Sequence, residues 1–139
     1  MDMPQTGSFL DVTKYKLEQA KDDLDTAKLL LQAGKYKAAN NRAYYASFHA
    51  VDAVLALEPV AFKKHKDTLA YFNKNYVHTE IFPKDIGRKI SKLEVIRHKS
   101  DYDDFYIASR EDAMEQTAVA ERIVNLVEEY VKKQLNKCM

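Results

Sequence analysis

The chain has 139 residues, one cysteine, three glycines, three prolines and a formal net charge of +1. So few turn-formers exclude sandwiches, barrels and other many-stranded folds, and with glycines only at Gly7, Gly34 and Gly87 neither a GxGxxG nor a GxxxxGK(S/T) phosphate loop can be written. Lone Cys138 rules out an internal disulfide or a cysteine-based zinc site, no apolar run is long enough to span a bilayer, and Met1–Ser8 lacks the apolar stretch of a signal peptide, so the expectation is an all-α, cytoplasmic protein with no membrane segment and no cofactor.

A flexible tail is expected over residues 1–9, then one domain over 10–136. The first helix is expected from Asp11 to Ala33, because Leu17, Ala20, Leu24, Ala27 and Leu31 recur at steps of three and four and so share one face. Gly34 supplies the stop, and so short a connection turns the second helix back antiparallel. That second helix, Lys35 to Leu57, carries a stripe of small residues (Ala39, Ala43, Ala46, Ala50, Ala53) beside a bulky one (Tyr44, Phe48, Val51, Leu55). A helix apolar on most of its circumference is buried, and its apolarity argues for a dimer if one small bundle does not cover it. A shorter third helix fits Phe62 to Tyr76. Pro83 suits the first position of a fourth, whose inner stripe is Ile86, Ile90 and Leu93. The last helix, Ser109 to Asn136, repeats Ala113, Thr117, Ala120, Val124, Val127 and Val131. The pattern predicts an antiparallel up-and-down bundle of four long helices plus one short one.

Charge interrupts two of these apolar stripes. On the second helix Arg42, Tyr45, His49 and Asp52 share a narrow sector, and on the fourth Arg97 and Asp101 stand one turn apart. A buried guanidinium needs a partner, so Arg42 or Arg97 is expected to meet Asp52 or Asp101, with tyrosine hydroxyls filling the remaining valences. Such a cluster either fixes helix register or holds a phosphate, with histidine as a proton carrier; the residues alone leave both open. Scattered His65, His78 and His98 give no metal site, and Asp101, Asp103 and Asp104 read as a solvated helix end, since no calcium-loop glycine follows them. Residues 60–100 hold ten Lys/Arg against four acids, a net +6 against −5 elsewhere. This asymmetry suits either a phosphate surface or the wet faces of ordinary helices.

The segment Asn41-Arg42-Ala43-Tyr44-Tyr45-Ala46-Ser47-Phe48-His49-Ala50 resembles the Arg-Ala-Tyr-Tyr-Ala-x-Phe-His-Ala helix of the HEPN family (higher eukaryotes and prokaryotes nucleotide-binding), in its bacterial and archaeal branch. Ile81-Phe82-Pro83-Lys84-Asp85-Ile86-Gly87-Arg88 is similar to a second family segment, and Arg97-His98-Lys99-Ser100-Asp101-Tyr102 to its Arg-x-x-Ala-Asp-Tyr, with serine in place of alanine. The resemblance covers about residues 10–136. It implies a helical-bundle homodimer that binds a nucleotide or RNA phosphate. The partner it implies is a separate small nucleotidyltransferase, in a two-component, toxin–antitoxin-like system.

Many members resembling this chain are metal-independent ribonucleases with an Arg-x(4–6)-His motif facing its copy across the dimer. The resemblance therefore implies Arg42, His49 and Arg97 as catalytic or phosphate-binding residues, braced by Tyr45, Asp52, Asp101 and Tyr102. Tyr102 is the nearest equivalent of the tyrosine that partner enzymes adenylylate in some systems. Counting from Arg97, however, the expected histidine positions hold Tyr102, Asp103 and Asp104. Arg42 to His49 does make an Arg-x(6)-His, but on one helix residues i and i+7 lie about 10.5 Å apart along the axis. Binding protein, ribonuclease toxin and purely structural dimerisation module are the three readings carried forward.

Overall fold

The computed structural model describes residues 8–137. Five α-helices account for most of them: α1 (Ser8–Gln32), α2 (Tyr36–Ala56), α3 (His65–Phe72), α4 (Asp85–Tyr102) and α5 (Arg110–Lys137). The all-α reading therefore holds, with no strand among the described residues. Because α1 starts at Ser8, residues 8 and 9 are helical rather than part of the expected tail; the rest of that tail lies outside the described residues.

Cross-helix contacts fix the directions. Thr13 donates to the Ala53 carbonyl, Lys16 pairs with Asp52 and Asp23 with Arg42, so residue numbers rise on α1 as they fall on α2. The same opposition links α2 to α4, where Asn40 meets Ser100 and Tyr44, one turn further along α2, meets Arg97, one turn back on α4. It links α1 to α5 through Lys21–Glu128 and Lys28–Glu121, and α4 to α5 through Asp85–Arg122 and Lys92–Glu115. The four long helices thus alternate up and down.

Local chemistry sets the joints. Gly34 takes φ +75°, its N–H bonds the Leu31 carbonyl and that of Lys35 the Leu30 carbonyl. This is the Schellman closure that a left-handed residue permits, and it turns α1 into α2. Ser109 caps α5, its hydroxyl accepting from the Asp112 N–H at 3.0 Å, while Glu111 and Asp112 place negative charge on the first turn.

Helix α2 is the axis of the bundle. All five alanines of its small-residue stripe are fully buried, which lets neighbouring backbones approach closely, and Tyr44, Val51 and Leu55 fill the space around them. This covering corrects one inference. The small-residue and bulky stripes of α2 are buried within one chain, so they do not themselves argue for a dimer.

Two expected elements differ. The third helix begins at His65 and gives way after Phe72 to a single π-helical turn, Asn73–Val77. Pro83 lies two residues ahead of α4; its carbonyl accepts from the Ile86 N–H, so it forms the turn before the helix rather than its first position. What anchors this connection is aromatic. Phe82, only 3% exposed, has ring centroids 5.2 Å from both Phe72 and Tyr130. Immediately after it, Asp85 accepts two hydrogen bonds from the Arg122 guanidinium.

Candidate functional site

Asp23, on α1, organises the site. Its Oδ1 accepts from Arg42 Nη1 at 3.0 Å and its Oδ2 lies 2.8 Å from His49 Nδ1. Arg42 and His49 are seven residues apart on α2, yet one carboxylate draws both side chains together. The axial separation that seemed to divide them is spanned by their length. With Nδ1 on Asp23, the other imidazole nitrogen has no hydrogen bond among the described residues. A carboxylate on one imidazole nitrogen fixes which nitrogen is left for chemistry.

Arg42 is held on its other side as well. Its Nε donates to Asn41 Oδ1 at 2.9 Å, and Asn41 Nδ2 donates to both oxygens of Asp101 at 3.0 and 3.2 Å. Asp101 in turn lies 3.6 Å from Arg97, one turn back on α4. Arg97 is mostly buried, its guanidinium carbon 4.8 Å above the Tyr44 ring and 5.9 Å from that of Tyr45, and its Nε has no partner among the described residues. Burial opposes its charge, but Tyr45, Tyr44 and Asp101 outweigh that and hold its pKa above the ordinary arginine value.

The Tyr45 ring sits at the centre. Arg42 lies 5.1 Å from its centroid, His49 6.1 Å and His65 5.9 Å. His65, from the start of α3, stacks on Phe48 at 3.8 Å and places its Nδ1 3.2 Å from the Tyr44 hydroxyl. Burial, then the positive charge of Arg97, pushes the His65 pKa below the usual value, so this imidazole is neutral at pH 7. Burial, reinforced by the nearby Glu94 carboxylate, pushes the Tyr44 hydroxyl up to about 12, and Tyr44 stays protonated.

One side of this assembly is open. A groove of about 630 Å³ between α2 and α4 is lined by Lys37, Asn41, Arg42, Asp101 and Tyr102, so the guanidinium of Arg42 is reachable from solvent.

The sequence-named residues therefore divide. Arg42, Tyr45, His49, Arg97 and Asp101 come together. Asp52 does not join them: it pairs with Lys16 at 3.1 Å, further along the α1–α2 seam, and the expected Arg–Asp52 contact is replaced by Arg42–Asp23. Tyr102 is 68% exposed, leans on His98 and lines the groove rather than bracing the cluster. Asp103 accepts from the Phe105 N–H, and among the described residues no group of acids, histidines or cysteines could hold a metal ion.

Comparison with known proteins fits this arrangement. The HEPN domain family model matches residues 13–130. The chain belongs to the HEPN domain family. A UPF0332 protein of Thermotoga maritima is 31% identical to it over 121 residues, 87% of this chain and 92% of that protein. A protein of Methanocaldococcus jannaschii named "Putative toxin MJ0605" is 35% identical over 86 residues, 62% of this chain and 64% of its own length. The solved structure of ST0689, an archaeal HEPN homologue, matches the fold with TM-score 0.68 at 22% identity, covering 86% of this chain and 97% of that one. TT1696 from Thermus thermophilus matches with TM-score 0.71 at 25% identity, over 84% and 96% of the two chains. The Asn41–Ala50 segment that resembles the family's Arg-Ala-Tyr-Tyr-Ala-x-Phe-His-Ala helix lies on α2, and its Arg42 and His49 are the pair that Asp23 gathers.

Sequence reasoning missed Asp23, Asn41 and His65. Asp23 stands in the run Asp22-Asp23-Leu24-Asp25, which reads as a wet helix face. The only available signal was that Leu24, beside it, belongs to the buried stripe.

Proposed function

We propose that this HEPN protein is the phosphate-recognising member of a two-component, toxin–antitoxin-like system whose other member is a separate small nucleotidyltransferase, and that its ligand is a nucleotide or an RNA phosphate. The observation that carries the reading is the gathering of Arg42, Arg97 and His49 around the Tyr45 ring, beside an open groove. Guanidinium groups match phosphate oxygens in a planar fork, and an aromatic ring beside them offers a face for a base. Relatives carrying toxin names support the toxin–antitoxin setting. The partner enzyme and a homodimer follow from the family resemblance, and exposed Tyr102, Phe105 and Ile107 supply apolar surface for such a contact.

One observation favours a second reading, a metal-independent endoribonuclease. Asp23 fixes the His49 ring as a general base requires, so that the free nitrogen could take the 2′-hydroxyl proton while arginine stabilises charge on the phosphate. The test is one set of incubations of pure protein with RNA in the absence of metal, comparing the parent with Arg42→Ala, His49→Ala and Arg97→Ala after folding is checked. Saturable binding without cleavage, lost in Arg42→Ala, supports the binding protein. Cleavage leaving cyclic phosphate ends, lost in His49→Ala, supports the enzyme. Neither binding nor cleavage leaves the cluster as a device that fixes helix register.

A further inference from the structure

Of the ten Lys/Arg side chains in residues 60–100, the cluster around Tyr45 takes only Arg97. Two others, Lys84 and Arg88, line a cavity of about 510 Å³ between the π turn and the start of α4, with Asn73 and His78 on its opposite wall. A second cavity, of about 220 Å³, shares Asn73, Gly87 and Ser91 with it and continues over Leu69, Phe72 and Ile90. Together they form one trough of a size that suits a small molecule. None of its lining residues belongs to the groove that exposes Arg42. A Cβ on Gly87 would stand 2.5 Å from Asn73 Oδ1, so the bare glycine lets the first side chain of the π turn lie against α4 and leaves the trough open beside it. Single π turns recur at functional sites.

The two parts of the trough differ in character. Lys84 and Arg88 are four residues apart, so both side chains reach the wider part. Arg88 makes no ion pair among the described residues, and Lys84 meets only exposed Glu80, at 3.6 Å, where pairing is weak. Asp85, between them in sequence, does not neutralise them, because both its oxygens accept from Arg122 on α5. The narrower part has an apolar floor of buried Phe72 and Ile90 with half-buried Leu69 beside them. Its far end sets one acid, Glu94, against one base, Lys66, and so offers no net attraction to a second anion. One cationic mouth and one apolar floor suit a ligand with a single anionic head and an apolar body.

We propose that the trough binds a small organic acid, its carboxylate on Lys84 and Arg88 and its apolar body over Leu69, Phe72 and Ile90. A guanidinium meets a carboxylate in a planar fork, and Lys84 adds a point charge beside it. The site is separate from the Arg42 cluster and does not depend on the phosphate reading of that cluster.

The test titrates octanoate into the full chain and follows backbone amide resonances, with 1-octanol and inorganic phosphate as separate probes. The parent is compared with Lys84→Gln/Arg88→Gln, whose exposed side chains leave the core intact, and with Gly87→Ala, whose methyl group displaces the Asn73 amide. Unfolding midpoints check that both variants fold; if either does not, the three probes on the parent decide. Octanoate is expected to move Asn73, Gly87 and Ser91 saturably, binding roughly tenfold more tightly than 1-octanol or phosphate. The double variant is expected to lose the advantage of octanoate over octanol, and Gly87→Ala to weaken both. Phosphate binding as tightly as octanoate would show a bare cationic surface and overturn the apolar body. Octanoate no tighter than octanol, or unchanged in the double variant, overturns the ionic head. Shifts that do not saturate, shifts that fall elsewhere on the chain, or octanoate affinity unchanged in Gly87→Ala overturn the site.

Discussion

Arg97 on α4 and His49 on α2 are the two ends of one unbroken polar chain. From Arg97 it passes to Asp101, to Asn41, to Arg42, to Asp23 and so to His49, each link between 2.8 and 3.6 Å. Three helices contribute to it, and no helix could hold its ends alone. Two cations and an imidazole are kept close because two carboxylates and an amide are interposed, so their mutual repulsion is offset before any ligand arrives.

The first prediction concerns Asp23. Asp23→Asn keeps the shape and removes the negative charge, freeing Arg42 for an incoming phosphate while loosening the orientation of His49. Phosphate or oligonucleotide affinity is expected to rise severalfold, since one opposing charge is gone. Any metal-independent RNA cleavage is expected to fall at least tenfold. Titration calorimetry and a cleavage assay on the same variant separate the two readings. Affinity lost together with cleavage would mean that Asp23 holds the whole cluster up rather than tuning it.

Arg97 is expected to matter for folding as well as binding. It is largely buried between the Tyr44 ring and Asp101, so Arg97→Ala leaves Asp101 held by Asn41 alone and opens a void beside the Tyr44 ring, costing about 2 kcal/mol in urea unfolding. Arg97→Lys keeps the charge but not the planar stack and is expected to recover only part of that loss. Full stability in Arg97→Lys would show that charge alone, and not the stacked guanidinium, is what the site needs.

His65 predicts a pH dependence with a definite sign. Burial and the neighbouring Arg97 guanidinium lower its folded pKa beneath the usual 6.5. As pH falls through that value the unfolded chain takes up a proton that the folded chain refuses, so stability is complete above pH 6.5 and declines on acidification. Unfolding midpoints measured from pH 7.5 downward are expected to fall below pH 6.5, with a shallower fall in His65→Asn. An identical slope in parent and variant would assign the acid sensitivity to another group.

Gly34→Ala tests the joint between α1 and α2. No heavy atom lies within 4 Å of the added methyl group, so the whole cost comes from forcing alanine to φ +75°. A loss of about 1 kcal/mol is expected.

The bundle was legible because its apolar periods are long and uninterrupted: Leu17 to Ala27 on α1 and Ala113 to Val131 on α5 are buried as their spacing requires. Punctuation read less well. Pro83 serves a turn whose shape is set by Phe82 packing on Tyr130, a contact across the bundle that no local pattern carries. The spacing predicts a third helix through Tyr76, past its end at Phe72, because a π turn keeps helical-looking spacing while ending the α register there. In the site, Arg97–Asp101 is one of the pairings that the sequence leaves open, and it forms because i,i+4 neighbours meet on the same helix. The partner of Arg42 was missed for the converse reason. Asp23 reaches it only through the register of α1 on α2, and that register is a product of core packing.

The account is tested most directly at the His49 ring. Following imidazole nitrogen resonances while adding a short oligoribonucleotide should move His49 saturably, with the same midpoint as binding measured by fluorescence anisotropy. Arg42→Ala should abolish the shift while His98, outside the cluster, stays put in both proteins. Oligonucleotide binding that leaves His49 unmoved would contradict the claim that this cluster is where the phosphate sits.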